Sequence, residues 1–176
     1  MKEVYLNNEI WTLTFGAAFQ RANVYKKSTT DDEKKQKFKQ NTRSFIESKL
    51  LPVYKKGKVD EATHLNSITK LSDYSKKHGD ILTGGKLNIG ISQKLLNLYL
   101  KYLWCLDKIQ TPPHFPVDRR IQEILGFSDI ISWTKITKIE DYSKIINQTK
   151  KHLGKYKSLA ELELHVYERR FKTDNK

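Results

Sequence analysis

The run from Leu95 to Leu106, LLNLYLKYLWCL, is apolar on nearly every side, and Pro112, Pro113 and Pro116 close off any helix soon after it. A helix that is hydrophobic all round has to be enclosed by other elements. Prolines fix φ and remove backbone donors, so the connection that follows is stiff and extended. The rest of the chain must therefore supply a shell for one buried helix. No alternation of period two persists and no internal repeat appears, which makes the class all-α with about seven or eight helices.

A first helix is expected from about Asn8 to Asn23, where Ile10, Trp11, Leu13, Phe15, Ala17, Ala18 and Phe19 crowd beyond a single stripe and imply burial on several sides. Asp31, Asp32 and Glu33 suit the positive end of a second helix that stops at Pro52. Ala62, Leu65, Ile68, Leu71 and Tyr74 step by three and mark a third, with Gly79 as its C-cap. A short helix ending near Leu87 would turn at Gly90 into the helix Ser92 to Leu106. Thr137 to Glu140 and Ser158 to Glu161 both read as capping boxes, opening helices that run to about His152 and about Phe171, after which Lys172 to Lys176 would fray. At 176 residues the chain is expected to form one helical domain, 1–176.

Charge narrows the partners. Lys and Arg number 33 against 20 Asp and Glu, a formal net charge of +13 that suits a polyanion. From Lys26 to Lys58 there are 11 Lys or Arg and 4 Asp or Glu, either a phosphate-facing surface or a solvated helix face. The single cysteine, Cys105, rules out an intramolecular disulfide framework and a four-cysteine cluster. No apolar run approaches the length of a membrane span and the N-terminus lacks a secretory pattern, so a cytoplasmic protein is expected, nucleoid-associated in a prokaryote. Phosphate loops, serine elbows, zinc spacings and clustered carboxylates are all lacking, and no cofactor or metal is expected.

Two ionisable residues bracket the apolar helix. Lys94, Asn97 and Lys101 fall at spacings that put them on one face, toward water or a ligand. In a cleft floored by apolar side chains, burial would favour a neutral, nucleophilic Lys94 amine; on an open face it is part of a solvent stripe. Asp118 follows the prolines at the start of a helix, where a carboxylate serves as an N-cap or stabilises a cation developing on a sugar. Gly90 would expose amides at a helix start to a phosphate, or simply turn a helical hairpin.

Gly90-Ile91-Ser92-Gln93-Lys94-Leu95-Leu96-Asn97 resembles the hairpin and following helix of the helix-hairpin-helix DNA glycosylases, and Phe115-Pro116-Val117-Asp118 resembles the loop and aspartate that end their motif. Lys94 matches the lysine of the 8-oxoguanine branch. The resemblance covers about 81–126. It implies a two-lobed helical fold with the cleft between lobes, Lys94 attacking C1′ of an extruded nucleotide, and Asp118 assisting and stabilising the positive charge. A Schiff base would then permit strand cleavage by β-elimination.

The resemblance makes the expected activity that of a glycosylase and abasic-site lyase, a monomer acting on double-stranded DNA that carries a damaged or modified base, oxidised purines foremost. Gly90, Ser92, Gln93, Lys101 and Arg119 are the expected DNA contacts, and Trp11, Phe15 and His114 the expected base pocket, chosen from aromatics that also include Trp104, Trp133, Tyr167 and Phe171. A non-catalytic helix-hairpin-helix DNA-binding protein, a glycosylase for a phage-type modified base, and a basic scaffold for RNA or protein are the competing readings.

Overall fold

The computed structural model describes residues 1–167 and is all-helical. Helices α1 (Lys2–Phe19), α2 (Asp32–Phe45), α3 (Leu51–Lys55), α4 (Glu61–Ser75), α5 (Ile89–Cys105), α6 (Arg119–Ile124), α7 (Ile139–Lys150) and α8 (Leu159–Val166) follow one another, with short 3-10 turns between some of them. Among the described residues the only β pairing is an isolated antiparallel bridge between Tyr25 and Leu82. Phe171 and the expected fraying end lie outside the described residues, and α8 is described to Val166.

Helix α5 is the axis of the molecule. Every residue from Ile89 to Leu100 is buried, and α1, α4, α7 and the turn at Trp133 pack around it. Asn88 caps it, its side chain accepting from the Ile91 amide at 2.8 Å, so the helix begins earlier than Ser92. Gly90 therefore lies in the first helical turn rather than in a hairpin. The chain reverses instead at Gly84 and Gly85, whose positive φ values of 70° and 76° only glycine adopts freely.

Helix α1 covers α5 with one side only. Ile10, Trp11, Thr14, Phe15, Ala17 and Ala18 are buried, and Trp11 stacks on Tyr99 of α5 at 4.2 Å. Val4, Tyr5, Leu6 and Leu13 face outward, so the expected burial on several sides does not occur. Of the crowded set only Leu13 is exposed; the others fit on one broad buried face and its edge.

Pro52 does not stop the second helix. Residues Ile46–Leu50 form a π turn that runs directly into α3, with Pro52 in the first turn of that helix. A proline inside a regular α-helix costs about 3 kcal/mol through a lost hydrogen bond and a clash with an earlier carbonyl. The wider π turn resets the ladder just ahead of the ring.

Gly79 follows a 3-10 turn with φ −63°, not as a left-handed cap; a Cβ there would sit 2.7 Å from the Gly85 carbonyl, so glycine permits close approach. The capping box at Ser158 half forms. Ser158 accepts from the Glu161 amide, but the Glu161 carboxylate takes the Lys157 amide. The box at Thr137 does not form, because Lys138 holds the N-cap position without a side-chain bond.

Candidate active site

After α5 the extended segment from Thr111 to Val117 brings Asp118 to the N-cap of α6, and there the side chain divides its work. Oδ1 accepts from the Ile121 amide at 3.1 Å, capping the helix. Oδ2 faces the Lys94 ammonium at 3.4 Å, a loose ion pair, and accepts from the Tyr167 hydroxyl at 3.4 Å. The N-cap role is thus held by one oxygen, while the other is left to face Lys94 and Tyr167.

Lys94 is 7% exposed. Its Nζ sits 3.6 Å from the centroid of the Trp133 ring, close enough for the indole face to attract the ammonium. The Trp133–Lys135 turn reaches this position because Gly90, one helical turn before Lys94, has no side chain. A Cβ on Gly90 would lie 1.7 Å from the Trp133 carbonyl oxygen, and the Gly90 amide donates to the Ile136 carbonyl at 2.9 Å. Gly90 therefore serves the lysine by admitting an aromatic neighbour, and its amide is already engaged.

These residues open into a cleft of about 480 Å³ lined by Ala17, Gln20 and Arg21 at the end of α1, by Lys94, Asp118, Arg119, Arg120 and Glu123, and by Trp133 and Tyr167. Arg21, Arg119 and Arg120 set cationic groups on its rim, although Arg119 also bonds Glu123 at 2.7 Å. Arg21 adopts φ 63°, an unusual backbone conformation for a non-glycine residue at the edge of a site.

Several expected contacts are overturned. Ser92 and Gln93 are fully buried and Gly90 is packed against the Trp133 turn, so none of them presents a donor to a phosphate at the surface. Lys101 pairs with the buried Glu163 carboxylate. Of the face shared by Lys94, Asn97 and Lys101, Asn97 is wholly buried, so that face is a packing surface and not a solvent stripe.

The expected base pocket is also redistributed. Trp11 is buried between α1 and α5, its indole donating to Glu47 at 2.7 Å, and Phe15 packs beside it at 5.3 Å. His114 lies under the surface with Nδ1 3.0 Å from the Tyr142 hydroxyl, its ring 4.7 Å from that of His64. Burial pulls the His114 pKa down to about 3 and the His64 pKa well below the usual histidine range, which makes both neutral core residues. The aromatic walls of the cleft are Trp133 and Tyr167 instead. Both stood among the aromatic candidates of the sequence, but their distance from Lys94 gave no reason to rank them first; a glycine four residues before the lysine was the available signal that something packs closely there.

No family model, no curated protein and no solved structure matches the chain.

Proposed function

We propose that the protein is a DNA glycosylase with abasic-site lyase activity, using Lys94 as the nucleophile and Asp118 as its partner on DNA bearing a damaged or modified base, oxidised purines foremost. The observation that carries the reading is the 3.4 Å approach of the Lys94 Nζ to Asp118 Oδ2 at the wall of one cleft, across a separation of 24 residues in the sequence. Aromatic walls and arginines on the rim support it. They are the groups that would receive an extruded nucleotide and its flanking phosphates.

In this reading Asp118 accepts the proton that Lys94 must lose, and the freed amine pair bonds to C1′ of the nucleotide. The bond from C1′ to the base breaks, its electron pair leaving with the base, which takes up the proton held by Asp118 and returns that group to a carboxylate. Asp118 faces the positive charge that develops on the sugar. Opening of the sugar ring leaves an imine between Lys94 and C1′, from which loss of a C2′ proton expels the 3′ phosphate.

Borohydride trapping on duplex DNA carrying an abasic site or a panel of base lesions tests the reading. Reduction of the imine should leave a covalent protein–DNA adduct that is lost in Lys94→Ala and retained in Lys135→Ala, an exposed lysine in the same turn as Trp133. DNA binding without any adduct across the panel would leave a binding protein and remove the enzyme.

A further inference from the structure

We infer that Gln93 is a positioning residue that sets Asp118 against Lys94, an inference that rests on reading those two as a working pair. Gln93 immediately precedes Lys94 in α5 and is fully buried. Its carboxamide donates to the Val117 carbonyl at 2.8 Å and accepts from the Val117 amide at 3.1 Å. Both backbone polar groups of the residue before Asp118 are therefore held by the residue before Lys94.

The grip is selective because of the sequence it holds. Pro116 has no amide, so Val117 carries the only main-chain donor between Phe115 and Asp118. One turn further along α5, the Asn97 amide nitrogen shares its two hydrogens among the Phe115 carbonyl at 2.9 Å, the Tyr142 hydroxyl at 3.0 Å and Gln93 Oε1 at 3.2 Å. Two amides on the lysine's own helix thus hold alternate carbonyls of an extended segment, those of residues 115 and 117, which face the same way. Phe115 and Val117 are buried, and a slip of one residue would turn Asp118 away from Lys94.

A carboxamide donates to the carbonyl and accepts from the amide of the same residue with one planar, uncharged group. Glutamate would offer two acceptors and a buried charge. Methionine would fill the volume and bond to neither. Asparagine is one methylene short of the reach.

Methylation of the folded protein by formaldehyde and borohydride, followed at Lys94 by peptide mass spectrometry, reads the positioning without DNA. Only the neutral amine condenses with formaldehyde, and a carboxylate held against Lys94 favours the ammonium. Gln93→Met and Asp118→Asn should each speed methylation of Lys94 several-fold, and the double variant should be no faster than Asp118→Asn alone. Should Gln93→Met fail to fold, Gln93→Asn takes its place with the same expectation.

An unchanged rate at Lys94 overturns the inference. So does a double variant whose rate is the product of the two single effects, since Gln93 would then act by loosening the fold. Trapping on abasic-site DNA run alongside bears on the glycosylase reading alone. Loss of trapping in the wild type with the methylation pattern intact removes the enzyme and leaves the positioning role. Efficient trapping with an unchanged methylation rate does the reverse.

Discussion

Lys101 was a natural choice for a phosphate contact, yet its ammonium is engaged by Glu163, a carboxylate 5% exposed. Burial raises the Glu163 pKa, and Lys101 opposes that rise. Removing Lys101 leaves a carboxylate in the interior without its counter-ion, and breaking such a pair costs about 3 kcal/mol. Lys101→Ala should therefore lower the urea midpoint markedly at pH 7. The deficit should shrink as the pH falls and Glu163 takes up a proton, which a chemical denaturation series at several pH values would follow. A lysine that only contacts DNA would show neither effect.

Gly90 shows how one missing side chain places a whole element. The turn at Trp133 closes on α5 through the gap that glycine leaves, and the Asn88 amide group fixes it from the other side by donating to the Thr134 carbonyl at 2.8 Å. Gly90→Ala should push this turn away and destabilise the protein by about 2 kcal/mol, in the range for overpacking a tight site. Its tryptophan fluorescence should shift toward that of a hydrated indole. Trp133→Phe should keep an aromatic face over Lys94 and retain trapping on abasic-site DNA, whereas Trp133→Ala should reduce it. Equal trapping in both variants would remove the indole from the site.

Across the whole molecule, buried imidazoles and surface cations give opposite handles. His114 and His64 pack against Tyr54, Tyr142 and Asn97, with Glu61 and Lys150 at the edge of the group. Folding keeps His114 neutral down to about pH 3, while in the unfolded chain it binds a proton below about 6.5. The unfolded state thus binds more protons as the pH falls through that window. Stability should be fully present above about pH 6.5 and lost toward pH 3, at up to about 1.4 kcal/mol per pH unit for each histidine. His114→Gln should flatten this slope in denaturant titrations. On the proposed reading, the net charge of +13 would act on DNA affinity instead. Binding should weaken steeply between low and moderate salt, and Arg21→Ala at the rim should reduce the slope of log affinity against log salt by about 1 if Arg21 meets one phosphate.

The all-α class was legible in the residues because helical periodicity is local, and so was Asp118 as an N-cap, which needs only a proline-rich approach and a following helix. The apolar run of α5 announced a central helix for the same reason. Membrane insertion had no support in the pattern, and no helix among the described residues is long and apolar enough to cross a membrane. What surrounds Lys94 was decided elsewhere. Trp133 arrives through a gap at Gly90, Gln93 and Asn97 turn inward to hold a backbone, and Trp11, Phe15 and His114 turn away into the core. A sequence pattern records which residues can share a helix face. It does not record which distant segment packs on that face, because close packing is satisfied by shapes and unpaired backbone groups that meet only when the chain is folded.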